Sequence, residues 1–215
     1  MLTATPTVYV IDDDPQVCES LGLMVRSVGL NVETYASAEA FLDGYREVPD
    51  TPKCIVLDVR MSGLSGLGLQ QLLVSEGKSI PIIMMSGCAD IPMAVKAMST
   101  GALDFLEKPI SRRTLLSRIQ EAIDQNVSRQ RKDARKTELA LQVERLSTRQ
   151  REVLDLLLVG NRSKQIAKEL GIGEKTVAKH RAAVLDKMQV ESVVELVRLF
   201  AEVNAPAGVA HSPAA

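Results

Sequence analysis

Along the first 110 residues, short β-favouring runs alternate with longer stretches whose apolar positions recur every three or four residues. Val8–Ile11, Asn31–Tyr35, Ile55–Leu57, Ile82–Met85 and Asp104–Leu106 predict five strands. Helical periods between and after them predict helices near 15–28, 37–46, 66–76, 89–100 and 111–125. The runs CIVL and IPIIMM are apolar at successive positions, as expected of strands buried on both faces. Strands alternating with helices imply a doubly wound α/β domain with a five-stranded parallel sheet over residues 1–124. In such a sheet ligands bind at the carboxyl ends of the strands.

Beyond Asp124 the pattern changes. Residues 125–145 contain no glycine or proline, are dense in charge and predict a helical linker. Residues 146–203 give four helical patterns at 149–158, 163–170, 174–187 and 191–202, with Gly160 and Gly171 as stops. An all-α second domain is expected there, followed by a disordered tail over 204–215.

Charge sharpens this division. Residues 1–124 carry 10 Lys+Arg against 16 Asp+Glu, whereas residues 125–215 carry 16 against 11. An acidic half joined to a basic half points to two different partners, with nucleic acid the natural one for the basic half. No apolar run approaches the roughly 18–20 residues of a membrane span, so no membrane association is expected. No basic segment followed by an apolar run opens the chain, and Cys18, Cys54 and Cys88 show no CxxC spacing. Buried thiols in a reducing, cytoplasmic compartment are the expectation.

The reactive residues collect at predicted strand ends. The first strand runs into Asp12-Asp13-Asp14-Pro15, Asp58 ends the third, Ser86 the fourth, and Lys108 follows the fifth. Asp14-Pro15 reads as a helix start, with aspartate at the N-cap and proline at the first helical position. Asp12 and Asp13 are left to face Asp58, and their mutual repulsion is relieved by a hard, oxygen-seeking cation, Mg²⁺.

VYVIDDDP, IVLDVRMSGLSG, IIMMSGCAD and DFLEKP resemble the successive motifs of the receiver domain of two-component response regulators, over residues 7–124. The resemblance implies a CheY/flavodoxin-like fold. It implies Asp58 as the acceptor of a phosphoryl group from a sensor histidine kinase. Asp12, Asp13, Asp58 and the Arg60 backbone carbonyl become the Mg²⁺ ligands, and Lys108 the neutraliser of the phosphoryl oxygens. Ser86 and Phe105 become the switch pair, and Lys108-Pro109 a cis peptide. Where the family often has proline four residues after the acceptor, this chain has Ser62.

The segment from Leu146 to Met188 resembles the LuxR-type helix-turn-helix of NarL/FixJ regulators. IAKEL, Gly171-Ile172 and a helix from about Glu174 have the spacing of helix, tight turn and recognition helix. Ile166, Ala167, Leu170, Ile172, Val177, Val184 and Leu185 are the expected interior. Lys175, Thr176, Lys179, His180 and Arg181 are left on a basic face, with Lys164 on the preceding helix. By resemblance, Ala178, Lys179 and Ala182 meet base edges, whereas Lys164, Thr176 and Arg181 position the protein on phosphates. His180 has no ligand partners at metal spacing and is expected beside a phosphate.

These readings describe a phosphorylation-controlled DNA-binding transcriptional regulator that is not an enzyme, apart from self-phosphorylation by small donors and autodephosphorylation. Its expected partners are a sensor kinase, double-stranded DNA, a second copy of the chain and RNA polymerase. A haloacid-dehalogenase-like phosphatase is the alternative, since Asp12-x-Asp14 after a first strand also fits that nucleophile motif. It lacks the acidic pair expected downstream of the lysine, where the chain reads PISRRTLLSRI.

Overall fold

The structure, a computed structural model, describes residues 4–87 and 91–204. Cys88, the start of the fourth predicted helix and the tail beyond residue 204 lie outside the described residues. The chain divides into two compact units, residues 1–130 and 131–215.

In the first unit, strands β1 (Thr7–Ile11), β2 (Asn31–Tyr35), β3 (Lys53–Asp58), β4 (Ile82–Ser86) and β5 (Asp104–Glu107) form one sheet in the order β2-β1-β3-β4-β5. Every pairing is parallel. Alternate residues of the inner strands point to opposite faces and build two cores. Tyr9, Ile11, Ile55, Leu57, Ile82 and Met84 pack with Phe41 of α2 (Ala38–Gly44), Leu69 and Leu73 of α3 (Gly66–Ser75) and Ala97 of α4 (Ile91–Ser99). Val8, Val10, Val56, Ile83 and Met85 pack with Leu21 and Val25 of α1 (Pro15–Arg26) and with Leu115, Ile119 and Ile123 of α5 (Arg112–Glu144). This two-sided burial explains the uninterrupted apolar runs of β3 and β4.

The division between units falls inside α5. Asn126 is buried and accepts the Lys53 N–H at 3.0 Å, and the Gln130 side chain donates to the Thr51 carbonyl at 3.1 Å. The first compact unit therefore reaches past Asp124, because amide side chains on a charged helix can still bind a neighbouring loop.

In the second unit, Leu139 of α5 and Leu146 join α6 (Thr148–Leu158), α7 (Ser163–Leu170), α8 (Glu174–Lys187) and α9 (Val193–Asn204) around one core. Ser147 and Gln150 close a capping box at the start of α6. Ile166, Ala167, Val177 and Val184 are buried, and Leu170, Ile172 and Leu185 pack partly against them. Gly171 ends α7 with φ +63°, a left-handed conformation that glycine adopts without steric cost.

Candidate functional site

The sheet register brings the site together. Ile11 lies opposite Leu57, so Asp12 and Asp58 leave neighbouring strands side by side at the carboxyl edge. Asp58 in turn lies opposite Met85, and Ser86 opposite Glu107. This edge lies between β1 and β3, where the strand order reverses and a crevice opens.

Asp14 caps α1 by accepting the Gln16 N–H at 2.9 Å, and Pro15 occupies the first turn, as the sequence implies. Its neighbour Asp12 accepts the Asp14 N–H through Oδ1 at 3.0 Å and turns Oδ2 to another task. Asp12 is 2 % exposed and Asp58 5 % exposed, a degree of burial that requires a counter-charge. Lys108 supplies it: Nζ donates to Asp12 Oδ2 and to Asp58 Oδ1, each at 2.6 Å. The Lys108-Pro109 peptide is cis, and the Lys108 N–H donates to the carbonyl of fully buried Ser86 at 2.8 Å. Phe105, on β5, is half-buried against the core on the α2–α4 face.

Burial pushes the Asp58 carboxyl above the usual carboxylate range, and the neighbouring Asp12 charge adds to this; Lys108 offsets only part of the rise. For Lys108, burial pulls the ammonium down, but its bonds to both carboxylates outweigh that and hold it above its ordinary value. The site thus keeps a protonated lysine beside an acid whose charge is poorly solvated. Cys18 donates to the Asp12 carbonyl at 3.2 Å, and burial raises its thiol, so it braces the loop as an unreactive group.

The β3–α3 loop is held by backbone donors. The Arg60 N–H donates to Asp58 Oδ2 at 2.6 Å, and the Ser62 N–H to Asp13 Oδ2 at 3.0 Å. The Leu64 N–H donates to Glu39 Oε1 at 2.7 Å, which lowers the Glu39 carboxyl. Glu39 reaches the loop because Ala38 and Phe41 seat α2 on the sheet, with the Phe41 ring edge-on to Tyr9 at 5.7 Å. At Gly66 a Cβ would lie 2.2 Å from the Asp58 carbonyl oxygen, so only glycine lets α3 start against the end of β3. Sequence reading missed Glu39, Gly66 and the Ser62 amide. Glu39 looks like an ordinary first-turn acid, and nothing in the local pattern signals its reach across 25 residues.

The donor set suits a hard cation. Asp12 and Asp58 converge on one point, now bridged by Lys108, while Asp13 is turned onto Ser62. Among the described residues no three His, Cys, Asp or Glu side chains form a closed metal cage. Mg²⁺ keeps several of its own waters, so it does not require a fully preset protein cage.

In the second unit, Lys164 on α7 and Lys175, Thr176, Ala178, Lys179, Arg181 and Ala182 on α8 are exposed, and His180 is half-buried. Val177 and Val184 anchor the opposite side of α8, fixing which face is presented. Leu196 of α9 is fully buried, whereas Val194 and Val197 are exposed. Among the described residues no helix is long and apolar enough to cross a membrane.

Comparison with known proteins agrees with this architecture. Residues 8–120 match the response regulator receiver domain, and residues 144–200 match the bacterial regulatory proteins of the luxR family. The chain belongs to the two-component response regulators that join a receiver to a LuxR-type helix-turn-helix, and it is a FixJ-like transcriptional regulator. It is 43% identical over 192 residues to the response regulator protein TmoT of Ectopseudomonas mendocina, covering 89% of this chain and 86% of that one. It is 42% identical over 192 residues to the transcriptional regulatory protein FixJ of Azorhizobium caulinodans, covering 89% and 90%. Among solved structures, the response regulator StyR superposes with a TM-score of 0.79 at 41% identity, covering 92% of this chain and 98% of StyR. Full-length FixJ from B. japonicum gives 0.57 at 39% identity, covering 94% and 98%. The phosphatase alternative finds no support in these relatives. The structure also uses Asp14 as a helix cap, which leaves that motif without its second acid.

Proposed function

We propose that Asp58 accepts a phosphoryl group from the phosphohistidine of a sensor kinase, and that the acyl phosphate so formed controls DNA binding by the second unit. The observation that carries this reading is Lys108 Nζ at 2.6 Å from both Asp12 and Asp58. A buried carboxylate with an ammonium at its side is arranged for transfer by positioning and charge neutralisation. A carboxylate oxygen of Asp58 attacks phosphorus, the P–N bond breaks, and the imidazole leaves with the bonding pair. Lys108 then follows the added negative charge, and the Ser86 hydroxyl binds a phosphoryl oxygen. Phe105, half-buried on β5, turns into the space the Ser86 loop vacates.

Asp12, Asp13, Asp58 and the Arg60 carbonyl are the Mg²⁺ ligands in this reading. When bound, the cation neutralises the converging carboxylate and phosphoryl charge. Small donors such as acetyl phosphate serve by the same geometry, and hydrolysis of the acyl phosphate resets the protein.

Ala178, Lys179 and Ala182 face base edges, while Lys164, Lys175, Thr176, His180 and Arg181 line the phosphates. The direct readout is narrow, because only Lys179 of the base-facing three can hydrogen-bond a base. A homodimer fits the exposed apolar residues of α4 (Ile91, Val95, Met98) and of α9 (Val194, Val197). RNA polymerase is the partner downstream, and the cytoplasm the compartment.

The test uses duplexes enriched from random sequence by the full chain. Fluorescence anisotropy, read before and after acetyl phosphate and Mg²⁺, shows a phosphorylation-dependent change in affinity for the wild type and none for Asp58→Asn. An equal response in both proteins rejects the reading.

A further inference from the structure

The three carboxylates of the site are not held alike. Asp12 and Asp58 are buried and share Lys108, whereas Asp13 is exposed and directed onto the Ser62 N–H at 3.0 Å. Ser62 and Leu64 both donate their amides to carboxylates from outside the loop, the first to Asp13 on the β1–α1 connection and the second to Glu39 on α2. The two anchors differ in what else could claim them. Glu39 lies on α2, and Gly63, with φ +79°, passes close beside it: a Cβ there would sit 2.7 Å from Glu39 Oε1. Asp13 instead adjoins Asp12, where the cation is placed.

We propose that Ser62 tunes Mg²⁺ binding through its backbone amide: the Ser62 N–H competes with the cation for Asp13, while Glu39 retains the loop when Asp13 leaves. The inference rests on the reading of Asp12, Asp13 and Asp58 as the cation's ligands. A residue without an N–H at position 62 removes the competitor, so proline there leaves Asp13 free for the metal. The Ser62 hydroxyl takes no part. Cation binding and loop release are then one event, and an incoming phosphoryl donor meets a β3–α3 loop already freed at Ser62 and still tied at Leu64.

The experiment titrates MgCl₂ into the full-length wild type, Ser62→Pro and Ser62→Ala without any phosphodonor, using isothermal calorimetry. Loss of one solvent-exposed amide bond predicts a roughly 3- to 10-fold tighter Mg²⁺ affinity for Ser62→Pro and no change for Ser62→Ala. In parallel, the Ser62 amide resonance of ¹⁵N-labelled wild type shifts with Mg²⁺ while that of Leu64 stays in place. This readout does not depend on how the proline variant folds. Equal affinity of wild type and Ser62→Pro, tightening by Ser62→Ala as well, or a Ser62 amide that ignores a bound cation overturns the inference alone. Absence of Mg²⁺ binding in all three proteins overturns the cation-site reading and the inference with it.

Discussion

Lys108 Nζ stands 2.6 Å from Asp58 Oδ1, and the same ammonium lies 2.6 Å from Asp12 Oδ2. One cation therefore neutralises two carboxylates whose side chains are only 2 % and 7 % exposed. Removing it leaves two buried charges facing each other.

Lys108→Met is accordingly predicted to destabilise the first unit by about 2–4 kcal/mol in urea unfolding, since breaking a buried pair strands its partners. Millimolar Mg²⁺ restores part of the loss by replacing the missing positive charge. A variant as stable as wild type without Mg²⁺ contradicts this account of the site.

Asp58→Asn works in the opposite direction. Burial raises the folded Asp58 carboxyl above its ordinary value, so the fold binds that proton more tightly than the unfolded chain does. The stability this contributes is fully present below the ordinary carboxylate range and is lost as pH rises through the raised folded value. At neutral pH without Mg²⁺ the neutral asparagine is therefore favoured, with a Tm higher by roughly 2–5 °C. Near pH 2, well below the ordinary aspartate value of about 3.9, the carboxyl is neutral in both states and the difference vanishes. Melting curves across pH check both the sign and the window.

Much of this site is legible in the sequence, and the limits have physical causes. The alternation in Val8-Tyr9-Val10-Ile11 and the unbroken apolar runs of β3 and β4 reflect burial on two faces, so they mark the sheet and place Asp12 and Asp58 at its carboxyl edge. Asp14-Pro15 is local chemistry and reads directly as a cap. Contacts across long separations leave no local trace: the Ser62 N–H meets Asp13 from 49 residues away. The span of α5 is obscured for a different reason. Its charged surface reads as a linker, although Asn126 binds the start of β3, Gln130 binds the loop before it, and Leu139 enters the core of the second unit.

Gly66→Ala tests the packing beneath Asp58. A Cβ 2.2 Å from the Asp58 carbonyl meets backbone that cannot swing aside. The expected loss is about 2–4 kcal/mol, together with a marked fall in Asp58 phosphorylation. Gly63→Ala meets only the side-chain end of Glu39, but it demands φ +79° of alanine, for a smaller loss of about 1–2 kcal/mol. Urea unfolding of both variants ranks them.

On DNA, Arg181→Ala is predicted to weaken binding uniformly across sequences and to reduce the slope of log affinity against log salt by about one, as expected of a lost phosphate contact. Lys179→Ala instead relaxes discrimination at one base step by about 1–3 kcal/mol. Anisotropy against matched and mismatched duplexes at several salt concentrations separates the two. Identical profiles for the two variants would show that α8 lies on the DNA in another orientation.

The most direct measurement is intact mass after incubation with acetyl phosphate and Mg²⁺, for the wild type, Asp58→Ala and Asp12→Ala. One added phosphoryl group is expected in the wild type and none in Asp58→Ala. A gain that survives Asp58→Ala and disappears in Asp12→Ala would contradict this expectation, moving the acceptor to the end of the first strand.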